Sequence, residues 1–281
     1  MAPRYFVETP IRGAQAALTG GEAHHLAHVM RAKPGDRVVL FDGEGAEYSA
    51  QVQQVGRGQV ELAVLARIEA DRELPYELTL GVALPKGDRQ KWLVEKAVEL
   101  GVTRLTALNT SRGVAQPAAS TLSRLERTAI EAAKQCGRNR LMGIAPAQPW
   151  DGYVRSTPPD AWRLVAHPGA ALTAADLFAE HSRLAGPAGG AGTTSTASPF
   201  QGEGSLKVEA QPHAPGERAR AVFLAIGPEG GLADEEISLA QKAGWQLVDL
   251  GPRILRIETA AVLLAAIVTL ACGQRRDPQA S

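Results

Sequence analysis

Residues 223–240 read FLAIGPEGGLADEEISLA, and the character of this stretch changes twice. Residues 223–226 form an apolar run typical of a buried strand, and the acids at 234–236 open a helix. The turn between them, 227–231, carries three glycines, one proline and one glutamate. Glycines at this density indicate positive φ angles or the close approach of another group, which a simple connector rarely needs. The stretch therefore predicts a strand, turn and helix of an α/β fold, with a ligand beside the turn.

The composition of this turn restricts the class of ligand. A glycine-rich turn before a helix often holds phosphate, but the chain contains neither GxxxxGK[ST] nor GxGxxG. Glu229 lies inside the turn, and the acids at 234–236 would compete with a phosphate for the helix dipole. Those three acids are explained more simply as a complement to the dipole than as ligand contacts. The pattern disfavours a polyanion and favours a neutral or partly cationic ligand.

A second turn of the same kind follows at residues 249–268, DLGPRILRIETAAVLLAAIV. A strand ends at Leu250, Gly251-Pro252 breaks it, and a helix begins near Glu258. Two such turns at the carboxyl ends of strands in one sheet form the ligand crevice expected of α/β folds.

The chain of 281 residues divides near residue 72. Short β-rich runs with one helix over about 21–32 predict a small β barrel or sandwich for residues 1–72. From 73 to 281 strands alternate with helices, which predicts an α/β domain with a largely parallel sheet. Within it, residues 185–220 lose all periodicity and consist largely of small residues and proline, which predicts a flexible insertion.

Composition excludes several classes of protein. Thirty basic residues balance thirty acidic ones, so any contact with nucleic acid must come from a local patch. The first residues, MAPRYFVE, contain no apolar signal-peptide core, Cys136 and Cys272 lie far apart, and no Cys/His cluster has metal-ligand spacing. The longest apolar run, 260–272, is too short to cross a bilayer. We therefore expect a cytoplasmic, reduced protein with no metal site and no membrane association.

The two glycine turns, IGPEGGLADEE and LGPRILRIETAAVLLAAI, closely resemble the cofactor loops of the SPOUT class of RNA methyltransferases. Within that class the chain is similar to the ribosomal RNA small subunit methyltransferase E family, which methylates N3 of a uridine in 16S ribosomal RNA. The segments RYFVE, HHLAHVMRAKPGD and LFDGEGAEY resemble that family's PUA-like, RNA-binding barrel. QKWLVEKAVELGV and IEAAKQCGRN resemble the segments that open its catalytic domain.

The resemblance implies an architecture and partners. It implies a C-terminal SPOUT α/β domain with a trefoil knot, which is a rare exception to the rule that chains do not thread through loops. S-adenosylmethionine (SAM) is the implied cofactor, bound in a bent form, and its cationic sulfonium agrees with the ligand class deduced above. A homodimer is implied, with small-subunit ribosomal RNA in an assembled or nearly assembled 30S particle as substrate.

The resemblance also implies a set of cofactor contacts, in which glycines let the backbone approach the adenosine and apolar side chains form walls. The implied residues are Leu224, Ile226, Gly227, Pro228, Glu229, Gly230, Gly231, Leu250, Gly251, Ile254, Leu255, Arg256, Thr259, Ala260 and His167. A structural role is the alternative for His167, because a single histidine at a strand end is more often structural.

For RNA, the resemblance and the basic residues together indicate a track of phosphate contacts. Its members are Arg4, Arg12, Arg31, Lys33, Lys86, Arg89, Arg138 and Arg140, and Gln135 and Arg138 match a family segment near the target base. Any one of these cations alone is more simply explained as solvated surface.

Arg256 and Glu258 are the predicted catalytic residues. Deprotonation of uridine N3 leaves negative charge shared with the flanking carbonyl oxygens, and a guanidinium suits a planar, delocalised anion. Glu258 would orient that guanidinium or assist proton removal, and complementing the helix start is an equal alternative.

Two other functions remain open: a non-catalytic RNA-binding or assembly protein that retains the fold, and a nucleotide-binding enzyme. The missing phosphate motifs weigh against the second. The intact glycine loops, together with Arg256 and Glu258, favour the methyltransferase over the first.

Overall fold

A computed structural model of the chain describes residues 2–113, 117–177, 179 and 221–272. The predicted insertion at 185–220 lies outside the described residues, as does the chain after 272.

The N-terminal part is a curled, barrel-like sheet of five strands in the order β1-β3-β4-β5-β2. Its strands are β1 (Arg4–Phe6), β2 (Gln15–Thr19), β3 (Arg37–Phe41), β4 (Ala46–Val55) and β5 (Gln59–Glu69). β1 pairs in parallel with β3, and the other pairs are antiparallel. Alternating apolar residues such as Leu40 and Leu62 point into its core. The predicted helix over 21–32 is shorter, since α1 (Gly20–His24) continues only as a π-helical turn, His25–Val29.

The C-terminal part is a parallel sheet of seven strands in the order β10-β12-β9-β11-β6-β7-β8. Its strands are β6 (Glu77–Val82), β7 (Arg104–Asn109), β8 (Gly143–Pro149), β9 (Trp162–Ala166), β10 (Leu172–Thr173), β11 (Ala221–Ile226) and β12 (Gln246–Asp249). The central strands are apolar on both faces, as expected for a parallel sheet covered on both sides. The predicted α/β fold with a largely parallel sheet, preceded by a small β domain, is confirmed.

Helices cover both faces of this sheet. They are α2 (Arg89–Glu99), α3 (Ala119–Cys136), α4 (Trp150–Ser156), α5 (Asp234–Lys242) and α6 (Ile257–Cys272). One face packs on α2, α3 and α6, and the other packs on α4 and α5. Tyr153 of α4 lies against Gly81 of β6, where an added Cβ would be 2.5 Å from the tyrosine ring. Only glycine fits there, because the ring occupies the space of a side chain.

The last helix returns to the middle of the molecule. Although α6 follows β12, which is next to the sheet edge, it packs against α2, β6 and β11. The Tyr76 hydroxyl donates to the Val268 carbonyl at 3.2 Å, and the Thr269 hydroxyl donates to the Leu100 carbonyl at 3.1 Å. This return across the sheet is the path that the predicted trefoil-knot topology requires.

Within residues 2–113, 117–177 and 221–272, none of the helices combines the length and apolarity needed to span a bilayer. In the same part of the chain, no group of three or more His, Cys, Asp or Glu side chains is placed to hold a metal ion.

Candidate functional site

A cleft of about 680 Å³, including the space open to solvent, lies at the carboxyl ends of the adjacent strands β12, β9 and β11. We call it the sheet-edge cleft. Predicted cofactor residues on its walls are Ile226, Gly227, Pro228, Glu229, Gly231, Leu250, Gly251, Ile254, Leu255, Ala260 and His167. Wall residues absent from the prediction are Ala166, Pro168, Leu232, Asp249, Arg253 and Ile257. The two glycine turns, distant in sequence, thus form one site because their strands end at the same edge of the sheet.

The glycines of the cleft have two different structural roles. A Cβ on Gly227 would lie 2.8 Å from Cγ of Leu232, so the turn closes too tightly there for a side chain. Gly231 and Gly251 have φ of +71° and +115°, a region that favours glycine, and space is open where a Cβ would project. These two positions leave the backbone accessible to a ligand.

Asp249 joins two of the loops around the cleft. Its carboxylate accepts hydrogen bonds from the Gly251 N–H at 2.8 Å and from the Gly169 N–H at 3.0 Å. The His167 N–H donates to the Val248 carbonyl at 2.9 Å, which also holds the loop after β9 against β12. Sequence reasoning missed Asp249, although an aspartate two residues before a glycine at a strand end is a common signal of a side-chain-capped turn.

An apolar side chain stands exposed at the cleft. Ile254 is 95% exposed, while its neighbour Leu255 is half-buried and packs on the core. A side chain of this size gains free energy when a ligand removes it from water. Ile254 is therefore suited to cover a bound molecule.

Three charged residues meet beside the cleft. The Arg89 guanidinium, at the start of α2, donates from Nη1 to Glu229 Oε1 at 2.8 Å. The same Nη1 lies 3.6 Å from Oε2 of Glu258, which is 6% exposed near the start of α6. The hydrogen bond that Arg89 donates to Glu229 is the main cause that raises the pKa of Arg89. Glu258, predicted to orient Arg256, is thus placed beside Arg89.

Four predicted cofactor residues lie off the walls of the cleft. Leu224 is fully buried inside β11, and its carbonyl accepts the Tyr153 hydroxyl at 3.0 Å, which indicates a structural role. The Gly230 carbonyl accepts from Arg112 at 3.1 Å. Arg256 and Thr259 are exposed at the start of α6, and Arg256 lies between the wall residues Leu255 and Ile257.

Two predicted RNA contacts lie between the two domains, where Arg138 is buried and Arg4 is partly buried. We call the set Arg4, Glu47, Arg72, Glu73, Arg138 and Asn139 the interdomain cluster. Arg138 is 4% exposed; it donates to Glu73 at 2.5 Å and from Nη1 to the Val98 and Val102 carbonyls at 3.0 and 2.8 Å.

Arg4 is similarly engaged, since it donates to Glu47 at 2.6 Å and to the Asn139 side chain at 2.8 Å. Burial raises the pKa of Glu47, but hydrogen bonds from Arg72 and Arg4 outweigh it and hold the pKa below its usual value of 4.5. Because these donors meet carboxylates and carbonyls within the protein, the contacts of Arg4 and Arg138 favour a structural role over the predicted RNA phosphate contact.

The other predicted RNA residues remain accessible. The exposed members are Arg12, Arg31, Lys33, Lys86, Gln135 and Arg140. Arg12 pairs with Glu44 at 2.9 Å on the surface, and Arg31 has an unusual φ of 54° directly after the π-helical turn. Unusual backbone conformations of this kind cluster at functional sites.

Two domain families match the chain. An RNA methyltransferase domain matches residues 72–199 and 200–269, and an RNA methyltransferase PUA domain matches residues 18–65. The fold is therefore that of a SPOUT-class RNA methyltransferase domain with an N-terminal PUA-like domain.

Individual relatives identify the family within this class to which the chain belongs. Ribosomal RNA small subunit methyltransferase E from Synechocystis sp. is 34% identical over 96% of this chain and 76% of its own length. That from Mycobacterium bovis is 32% identical over 100% of this chain and 96% of its own. The chain belongs to the ribosomal RNA small subunit methyltransferase E family.

Solved structures agree. A Legionella pneumophila protein in complex with SAM has a TM-score of 0.77 and 28% identity, covering 98% of this chain and 100% of that one. Ribosomal RNA small subunit methyltransferase E from Neisseria gonorrhoeae, bound to SAM, has a TM-score of 0.76 and 26% identity, covering 97% and 99%.

Proposed function

We propose that this protein transfers the methyl group of SAM to N3 of a uridine in small-subunit ribosomal RNA. The observation that carries the proposal is the sheet-edge cleft, where two glycine loops and exposed apolar walls meet at the ends of β9, β11 and β12. Family membership supports it, as do the two similar structures that contain SAM.

The residues of the cleft fit SAM. Gly231 and Gly251 leave open space beside the backbone, and Ile254 and Leu255 offer apolar surface for an adenine ring. Glu229 on the wall suits a sulfonium better than a phosphate. Bound there, SAM supplies a methyl group activated by the positive sulfur.

Arg256 would stabilise the uracil anion. Uridine N3 carries a proton at neutral pH, and the nitrogen becomes a useful nucleophile once that proton leaves. Arg256 is exposed at the cleft end of α6, so its guanidinium can meet the charge that develops on the flanking carbonyl oxygens. Glu258 is the candidate for proton removal, although its Arg89 partner also suits a positioning role.

The PUA-like domain, residues 1–72, would hold the RNA while residues 73–281 hold the cofactor. Arg12, Arg31, Lys33, Lys86 and Arg140 would contact phosphates, with Gln135 nearer the target base. The proposal includes a cytoplasmic homodimer acting on an assembled or nearly assembled 30S particle.

The direct test is to incubate the protein with isotope-labelled SAM and either free 16S RNA or 30S particles, then digest the RNA and identify the labelled nucleoside. N3-methyluridine, formed more efficiently on particles than on free RNA, is the expected product. Label on ribose, on a base carbon or on another base would refute the N3 assignment. Absence of label from the RNA would refute the proposed methyltransferase activity.

Calorimetry provides a second test. SAM and its demethylated product should bind, whereas GTP and NAD should not, because the cleft lacks a phosphate-binding motif. If GTP or NAD bound and SAM did not, the result would favour a nucleotide-binding enzyme.

A further inference from the structure

The contacts of Arg89 distinguish it from the other cations of the predicted RNA track. Its Nη1 donates at 2.8 Å to Glu229, which lies on the glycine turn after β11. The two residues are 140 positions apart in sequence. The same nitrogen faces Glu258, near the start of α6, at 3.6 Å. One guanidinium therefore stands between the two loops that form the sheet-edge cleft.

The burial of Glu258 explains why a nearby cation would stabilise it. Its side chain is 9% exposed, and its Oε2 is buried without a hydrogen-bond donor among the residues that the structure describes. A buried carboxylate is costly unless a positive charge lies close to it. Among the described residues, the cation that pairs with Glu258 is Arg89.

The turn that Arg89 holds is also fastened from the end of β7. Arg112 donates to the Gly230 carbonyl at 3.1 Å, and the Ser111 N–H and hydroxyl donate to Glu236 at 2.8 and 3.1 Å. Those contacts hold the turn and the start of the helix that follows it, α5. Arg89 differs because it also faces Glu258, in the first turn of α6, the helix that directly follows the second loop.

We propose that Arg89 is a positioning residue for methyl transfer, which fixes the two cofactor loops relative to each other through Glu229 and Glu258 and is not an RNA phosphate contact. The inference rests on the proposed function, because its readouts are SAM binding and methyl transfer. The enzyme with Arg89 in place holds the cleft in its binding geometry before SAM arrives, which lowers the ordering cost of binding.

The experiment compares the wild type with Arg89→Ala, Arg89→Lys and two control variants. Lys91→Ala removes a 70% exposed cation from the same helix, whose partner is Glu95 at 3.8 Å. Lys86→Ala removes an exposed cation of the proposed RNA track. For each protein the SAM Kd, kcat, the KM for 30S particles and the urea midpoint are measured.

Arg89→Ala should raise the SAM Kd about tenfold and lower kcat, because a charge-assisted hydrogen bond and the partner of a buried carboxylate are both lost. Its KM for particles should stay within about twofold of the wild type, since no phosphate contact is removed. Arg89→Lys should recover only part of the SAM affinity, because a compact ammonium replaces a planar fork. Lys91→Ala should match the wild type, and Lys86→Ala should raise KM without changing the SAM Kd.

A double-mutant cycle provides the specific readout. If Arg89 acts through Glu229, Arg89→Ala and Glu229→Gln should be non-additive in SAM affinity, whereas independent contacts would add. Additive effects, an unchanged SAM Kd, or a raised KM with an unchanged SAM Kd would overturn the inference. If the wild type itself does not bind SAM, the proposed function falls and this inference falls with it, so the two failures are distinguishable.

Discussion

The interdomain cluster and the sheet-edge cleft both depend on residues that sequence reasoning assigned to ligand binding, but they use them in opposite ways. In the cluster, Arg138 is 4% exposed and its donors end on Glu73 and two backbone carbonyls. In the cleft, Ile254 is 95% exposed, and open space faces Gly231 and Gly251. In the cluster most of the charged groups are paired within the protein, whereas the cleft presents surface that a ligand can cover.

This difference separates structural from functional residues better than residue type does. A buried arginine such as Arg138 cannot turn to a phosphate without leaving the carboxylate that it pairs with unpaired. Exposed apolar surface beside an accessible backbone, by contrast, gains by binding a ligand. Each prediction below changes one side of this comparison, in order of decreasing expected effect.

Arg138→Ala should destabilise the protein most. The substitution leaves Glu73 largely buried without its partner and removes the donor to the Val98 and Val102 carbonyls, so we expect a loss of about 3–5 kcal/mol in the free energy of unfolding. Urea unfolding measures it, with exposed Arg140→Ala as the control that should change little. A stable Arg138→Ala protein with weakened RNA binding would restore the phosphate assignment.

Arg256→Ala should leave the fold intact and slow methyl transfer. Removing one donor to a developing anion typically costs about 10²–10³ in rate, and Arg256 is exposed at the start of α6. Single-turnover kinetics should show that loss with the SAM Kd nearly unchanged. Arg253→Ala, from the cleft wall, is the control and should weaken SAM binding more than it slows transfer. If Arg256→Ala weakened binding as much as it slowed transfer, Arg256 would be a pocket residue.

Asp249→Ala should weaken cofactor binding without unfolding the protein. The carboxylate holds the Gly251 and Gly169 N–H groups, and charge-assisted bonds of this kind order the loops around the cleft, so we expect the SAM Kd to rise about tenfold. Asp249→Asn keeps an acceptor oxygen and should have a smaller effect. Circular dichroism checks the fold, and an unchanged Kd would show that the loops hold their shape without Asp249.

Glu47 should make a small, pH-dependent contribution to stability. Its folded pKa lies below the usual 4.5, because hydrogen bonds from Arg72 and Arg4 outweigh the effect of burial. A lowered folded pKa means that the stabilisation is fully present above pH 4.5 and is lost as the pH falls through the folded value. The difference in unfolding free energy between wild type and Glu47→Gln should therefore shrink on acidification below that pH. A difference that stays constant down to pH 3 would mean that the charge of Glu47 is not what stabilises the cluster.

Local sequence signals predicted the turns of the cleft correctly. Gly231 and Gly251 do adopt positive φ, and the strands before both turns end at one sheet edge. Backbone conformation at a glycine turn is a property of a few neighbouring residues, and the alternation of strands and helices follows from apolar periodicity. These features could be read without knowing any distant contact.

The sequence by itself determined the α/β class, the small β domain before it and the meeting of the two glycine turns at one sheet edge, because these follow from local pattern and chain order. Only the tertiary structure decided which charged residues are available to a ligand. Arg138 is buried while Gln135 and Arg140, its near neighbours in sequence, are exposed. Its partner Glu73 is 65 positions away, and Arg89 meets Glu229 at a separation of 140. Burial and charge pairing arise from contacts between distant segments, so no local pattern of residues contains them.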